Sequence, residues 1–298
     1  MTLIPSYLRT GDTILIIATA RARSKKMIEP AIKILKGWGL KVETGKNLFK
    51  KKNQFAGTDE ERSSDLQWAI DHKKAKAILI AGGGYGTMRI IDSVNFKPLF
   101  KNPKWIAGYS DTTVIHNRLA NLKMACIHGT MAFQFTKDEE ATLSLKRLLF
   151  GEKIHYLIPK NKLNRSGRAE AEIVGGNLSL LYALSGSVDE ISAKNKILFI
   201  EDLDEQLYHI DRMMLQLKRS GKLKNLQGLI VGGMSEMKDN AIPFGKAAEE
   251  IVLDAVKEYD YPVCFNFPAG HIEKNMALYF GKKARLTVTK SRIDLTYL

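Results

Sequence analysis

Cysteine is nearly absent from this chain: Cys126 and Cys264 are the only two among 298 residues, far apart and outside any C-x-x-C. Their scarcity excludes a disulfide scaffold and a thiolate zinc site and suits a reducing compartment, so a cytoplasmic protein is expected. Long hydrophobic runs are missing too. One of the longest, Ile14-Leu15-Ile16-Ile17-Ala18, has the length of a strand and falls far short of a membrane span. The first ten residues hold Pro5 and a single Arg9, and the apolar stretch beyond them runs into Arg21 without a convincing cleavage site, which argues against a signal peptide. There is no H-E-x-x-H and no acidic cluster at EF-hand spacing, and neither metal nor cofactor is expected. Internal repeats and low-complexity tracts are absent.

Acidic residues are in deficit, 32 against 46 Lys and Arg, for a net charge of +14. The excess comes in small groups: Arg21/Arg23/Lys25/Lys26, Lys50-Lys51-Lys52, Lys73/Lys74/Lys76 and Lys218/Arg219/Lys222/Lys224. All fall at expected element ends or in loops, with no long basic helix, zinc finger or aromatic–basic RNA motif. They read as solvated surface, and no nucleic-acid or membrane partner is expected.

What is present is globular: 45% hydrophobic and 26% charged residues, in a chain long enough for two compact domains. The first half alternates apolar strands (13–18, 40–43, 77–81, 105–109, 126–127) with helices (27–37, 58–72, 88–94, 113–122). That pattern predicts a parallel sheet with helices on both faces. Near residue 150 the rhythm changes. An N-terminal domain over 1–150, a polar and basic linker over 151–169, and a C-terminal domain over 170–298 are expected. The second domain has strands at 171–174, 197–200, 229–232 and 263–265, helices at 178–185, 208–219 and 245–259, and a closing hairpin over 279–298.

Ser110 is the first chemical candidate. In Trp105-Ile-Ala-Gly-Tyr-Ser110-Asp-Thr-Thr it sits between a buried strand and a helix. Side chains on such a turn project into the ligand crevice of a parallel sheet, where helix-start N–H groups favour an oxyanion. The turn lacks the second glycine of G-x-S-x-G, since Thr112 stands there, and taken alone Ser-Asp-Thr-Thr favours an N-cap serine. A serine nucleophile needs a base. Of six histidines, His128 and His271 occupy loop positions that suit one, and Gly270 before His271 allows the sharper turn. Glu201, directly after four apolar residues, puts a carboxylate at a strand end, where His271 or Arg212 would satisfy it. The run Gly82-Gly83-Gly84-Tyr85-Gly86-Thr87 exposes backbone N–H groups and suits either a phosphate cradle or an oxyanion hole.

Taken together, these pieces resemble the LD-carboxypeptidase family of serine peptidases, which includes the microcin C self-immunity peptidases. The resemblance spans nearly the whole chain. It rests on Phe55-Ala-Gly-Thr-Asp-Glu-Glu-Arg62 with Asp65-Leu66-Gln67, Gly83-Gly-Tyr-Gly86, Gly108-Tyr-Ser-Asp-Thr112, Ile127-His-Gly129, Gly175-Gly-Asn-Leu-Ser-Leu-Leu181, Leu198-Phe-Ile-Glu-Asp202 with Ile210-Asp-Arg-Met213, and Gly270-His271 followed by Asn275, Leu278 and Gly281. It implies an N-terminal flavodoxin-like domain and a C-terminal β-rich α/β domain, with a triad drawn from both. Ser110 would be the nucleophile, His271 the general base and then acid, and Glu201 its orienter. The N–H groups of Asp111 and of Gly83 or Gly84 would form the oxyanion hole, with Tyr85, Gly86 and Arg89 binding substrate.

The implied reaction releases a terminal D-amino acid, D-Ala, from a murein tetrapeptide. A small peptide substrate and a homodimer are the expected partners. Two positions depart from the family pattern: Gly82 replaces an arginine often found before the glycine pair, and Ala18-Thr19-Ala20 replaces Pro-Ser. Arg89 is then the candidate cation for the substrate carboxylate, with an ion pair to Asp92 as its alternative. Cleavage of an aminoacyl-nucleotide antibiotic is the sibling activity. A phosphate-binding kinase and a non-catalytic binding protein are more distant alternatives.

Overall fold

The computed structural model describes residues 2–298. Two compact units emerge: residues up to Lys153 together with Glu273–Tyr279, and Ile154–Ile272 with Phe280–Leu298. Along the chain the strands are β1 (Thr13–Ile17), β2 (Lys41–Thr44), β3 (Ala75–Ile80), β4 (Trp105–Gly108), β5 (Cys126–His128), β6 (His155–Pro159), β7 (Gly167–Asn177), β8 (Ile197–Leu203), β9 (Gly228–Ser235), β10 (Val263–Cys264), β11 (Leu278–Phe280), β12 (Lys283–Val288) and β13 (Arg292–Tyr297).

The first unit is built on a six-stranded sheet in the order β11-β5-β4-β3-β1-β2. The pairs β1–β2, β1–β3, β3–β4 and β4–β5 are all parallel. Read from its far edge, the order 2-1-3-4-5 is that of flavodoxin-like sheets, with the switch in winding direction between β1 and β3. Its central strands β1 and β4 are buried along their whole length, which is why their sequence is continuously apolar. The helix Asp59–Asp71 starts on a capping box. Glu61 N–H donates to Thr58 Oγ1 (3.2 Å), and Thr58 N–H donates to the Glu61 carboxylate (2.9 Å), with acids filling the first turn.

The second unit holds a seven-stranded mixed sheet, β10-β9-β8-β7-β12-β13-β6. Its β7, β8, β9 and β10 run parallel, and β12, β13 and β6 close it antiparallel. The helix Leu207–Arg219 buries Ile210, Met213, Met214 and Leu217, a single stripe at helical spacing.

Several expectations are corrected. Residues 151–169 are not simply a linker: they contribute β6 and the start of β7. The polar composition of β6 reflects its place at the sheet edge, where alternate residues face water. The expected helix over 88–94 is two 3-10 turns, Thr87–Arg89 and Ile91–Ser93. Residues 279–298 do not form one hairpin, because β11 joins the first sheet while β12 and β13 pair in the second. A helix over Glu139–Phe150 had no counterpart in the sequence reading. Asp138 caps it by accepting from Ala141 N–H (2.6 Å), and Gly151 ends it in the left-handed region.

Candidate active site

In the first unit, β4 runs into a 3-10 turn, Ser110–Thr112, and then the helix Thr113–Asn121. Ser110 opens that turn with φ +61°, a left-handed conformation that a non-glycine residue adopts only where surrounding structure holds it. Two close approaches hold it. A Cβ on Gly108 would lie 2.6 Å from Thr112 Oγ1, and one on Gly83 would lie 3.0 Å from Ser110 Cβ and 3.1 Å from its Oγ. Thr112, which breaks the G-x-S-x-G pattern, therefore packs on the glycine before the turn. Ser110 is not the cap of the helix that follows, whose N-cap is Thr112.

The glycine loop is fastened to this turn. Thr87 N–H donates to the buried Asp111 carboxylate (2.8 Å), and Thr87 Oγ1 pairs with Thr19 Oγ1 (2.8 Å) at the exit of β1. Burial pushes the Asp111 carboxyl above its ordinary range. Gly84 at φ +112° and Gly86 at φ +147° need the absence of a Cβ. Behind the loop, the block around 55–65 has a structural part. Arg62 is fully buried and donates from Nε to Thr19 O (3.1 Å), from one terminal nitrogen to Gly57 O (2.9 Å), and from the other to Asp59.

Tyr85 is exposed and leans toward Phe55. Arg89 is exposed as well, and its guanidinium is engaged by Asp59 through contacts of 2.7–3.1 Å. Asp92, the alternative partner that the sequence offers, accepts from Arg118 instead (2.6 Å).

The second unit carries a carboxylate–imidazole pair. Glu201 lies in β8 at a shift of register between Ile200 and Asp202, and it is wholly buried. Such an irregularity re-aims a strand side chain. Glu201 Oε2 lies 2.7 Å from His271 Nδ1 and accepts from His271 N–H at 3.0 Å. With Nδ1 turned to the carboxylate, the proton-accepting nitrogen of the neutral ring is Nε2. Gly270 makes this approach possible: its φ is +104°, and a Cβ there would stand 2.7 Å from both Glu201 Cβ and Oε2. The loop is anchored to β9 by Gly233 N–H to Ala269 O (2.9 Å) and Ser235 Oγ to His271 O (2.6 Å).

Burial works against the imidazolium of His271. The charge and hydrogen bond of Glu201, with Asp202 and Glu236 beyond, outweigh it and hold the pKa above its ordinary value. Asp202, which the sequence reading left without a role, accepts from Asn177 Nδ2 (2.8 Å) and from Ser179 N–H and Oγ (2.8 and 2.6 Å). Burial first, and the Glu201 charge second, push it up to about 6.

The other histidines are placed elsewhere. His128 and His116 are buried beside one another in the first unit, and burial drives His116 down to about 3. His72, His155 and His209 face Glu43, Asp294 and Glu205. His271 lies against the buried Glu201, whereas His128, expected in a loop, is the buried last residue of β5. Glu201 finds His271 rather than Arg212, whose guanidinium lies over the Tyr208 ring.

The sequence reading missed Arg23. It belongs to a basic group that reads as solvated surface, yet its guanidinium is half-buried over the Phe133 ring, 4.3 Å from the centroid. No local signal distinguishes it from its neighbours. Among the described residues no cluster of His, Cys, Asp or Glu is arranged to hold a metal, and no helix is long and apolar enough to cross a membrane.

Comparison with known proteins gives the family. Sequence profiles of the LD-carboxypeptidase N-terminal and C-terminal domains match residues 14–129 and 170–286. A probable murein peptide carboxypeptidase of Bacillus subtilis is 35% identical over 297 residues, covering 96% of this chain and 92% of the relative. The microcin C7 self-immunity protein of Escherichia coli is 24% identical over 336 residues, covering 99% and 96%. The crystal structure of muramoyltetrapeptide carboxypeptidase from Oxalobacter formigenes superposes with a TM-score of 0.88 at 27% identity, covering 96% of this chain and 98% of that one. With both domain profiles matched in order along one chain, the protein belongs to the LD-carboxypeptidase family.

Proposed function

We propose that this enzyme, a serine-type carboxypeptidase, hydrolyses the amide that joins an L-configured centre to the terminal D-alanine of a murein tetrapeptide. The observation that carries the reading is the buried Glu201 carboxylate accepting both N–H groups of His271. It is supported by the constrained Ser110 and by the murein substrate named for the relatives. Ser110 Oγ attacks the scissile carbonyl carbon and gives its proton to His271 Nε2. The N–H groups of Asp111 and of Gly83 or Gly84 receive the oxyanion. As the C–N bond breaks, His271 returns that proton to the leaving amine of D-alanine. Water then attacks the Ser110 ester, again through His271, releasing tripeptide and free serine. Glu201 keeps the imidazole oriented and stabilises its charged form.

The reading includes a cytoplasmic location, in keeping with two buried unpaired cysteines, and a homodimer carried over from the sequence resemblance. Incubation of the pure protein with murein tetrapeptide and, separately, with an aminoacyl-sulfamoyl adenylate separates the murein reading from its sibling. Mass spectrometry is expected to show tripeptide plus D-alanine from the first. Cleavage of the adenylate with an untouched tetrapeptide would transfer the assignment to the antibiotic-cleaving activity.

A further inference from the structure

Open parallel sheets bind ligands beyond the strand ends where the winding direction switches, here between β1 and β3. The chain leaving β3 is Gly82-Gly83-Gly84, and the chain leaving β1 carries Arg21 and Arg23. The two exits are tied together: Ala81 N–H donates to Ile17 O (2.8 Å), and Arg21 N–H reaches Gly83 O (3.4 Å).

Each of the three glycines faces a different side chain. A Cβ on Gly82 would stand 2.4 Å from Arg23 Nε and 3.2 Å from its Cζ. One on Gly83 would stand 3.1 Å from Ser110 Oγ, and one on Gly84 would stand 3.2 Å from Arg21 Nε. A guanidinium thus lies on either side of the nucleophile's glycine. Arg23 fills the space that a side chain at position 82 would take, the position where the family pattern often has an arginine.

These two cations lack an acid. Among the described residues neither forms an ion pair, and Arg23 Nε is buried without a hydrogen-bond partner. Burial, and then the charge of Arg21, lower the Arg23 pKa from its ordinary value, with the Tyr109 phenol opposing them. Two like charges held together, one partly desolvated, leave an anion hole. The scale suits a carboxypeptidase. A terminal carboxylate lies one residue from the scissile carbonyl, about 3.5 Å along the chain, and its cation lies one hydrogen bond further, about 3 Å. Ser110 and Arg23 pack on two neighbouring glycines, Gly83 and Gly82, so the nucleophile and the cation are neighbours on the scale of one terminal residue.

We propose that Arg23, seconded by Arg21, binds the terminal carboxylate of the substrate in the space of the missing side chain at position 82. The inference rests on the carboxypeptidase reading. It replaces Arg89, whose guanidinium Asp59 already holds.

The test is a calorimetric titration of Ser110→Ala protein, which binds without turnover, using murein tetrapeptide as its C-terminal acid and as its C-terminal amide. The acid is expected to bind tens-fold more tightly. Adding Arg23→Ala should remove that preference and leave amide affinity unchanged, whereas adding Arg89→Ala should leave the preference intact. Gly82 has ordinary negative-φ backbone, so Gly82→Arg can be built into the Arg23→Ala background, where it should restore most of the preference; a merely structural role for Arg23 would give no such rescue. No preference in the Ser110→Ala protein, or a preference that survives Arg23→Ala, overturns the assignment. Release of D-alanine by the wild-type enzyme is scored separately, so failure of the clamp and failure of the murein reading are distinct results.

Discussion

Replacing Ser110 with alanine will leave a folded protein whose turnover is down by about 10³–10⁶-fold, the range seen when the reacting member of a triad is removed. The prediction comes from the backbone as much as from the hydroxyl. Ser110 is held at φ +61°, where a residue with a Cβ is strained by about 1–2 kcal/mol. Close packing surrounds the turn, with Thr112 against Gly108 and Gly83 against Ser110 itself. Alanine keeps the Cβ and inherits both the conformation and the strain, so thermal stability should change little. Ser110→Gly should be as inactive as Ser110→Ala and yet more stable than the wild type by about 1 kcal/mol, because glycine is at ease in this region. Loss of activity accompanied by a gain in stability would mark a residue strained for its task. Near-normal turnover by Ser110→Ala would remove it from the mechanism.

How much of this could be read beforehand depended on how local the cause was. Strands β1 and β4 were legible because burial on both faces forces an unbroken apolar run. β6 was not, because an edge strand with alternate residues in water resembles a polar connection. β11 could not be placed, since nothing within Leu278–Phe280 says which of two sheets it joins. The helix Glu139–Phe150 is a different case. Its capping Asp138, acidic first turn and terminal Gly151 are all local signals, and reading them would have found it.

The same division runs through the site. Ser110 and His271 stand where an apolar strand gives way to a turn or a glycine, and that junction is visible in one dimension; Glu201 closes an apolar run in the sequence, but the strand end expected there is not found, because β8 continues past it to Leu203. Arg23 is visible only once β1 and β3 lie side by side. Its meaning comes from Gly82, nearly sixty residues away, and from a missing Cβ that makes room for its guanidinium.

Removing the His271 imidazole should cost about as much as removing Ser110, and the double variant should be little worse than either, because members of such a unit act together. Glu201→Gln is the more informative change. Glutamine can still offer an oxygen to Nδ1–H, so the ring can stay in place, but the charge that stabilises the imidazolium is gone. Turnover should fall by about 10²–10⁴-fold. The pH profile gives the sign. His271 must be neutral to take the Ser110 proton, so kcat/KM rises with pH through the His271 pKa. In the wild type the Glu201 charge outweighs burial and holds that pKa above its ordinary 6.5, so the acidic limb should lie above pH 6.5. In Glu201→Gln burial remains while the largest opposing charge is lost, and the limb should move to lower pH. Asp202, pushed up to about 6, gains a proton at the acid end of this range and then adds nothing to the field at His271. Asp202→Asn should therefore lower the limb by less than Glu201→Gln does, with most of the maximum rate retained. A limb that stays fixed in Glu201→Gln would mean that another group titrates there and that the buried carboxylate does not govern the imidazole.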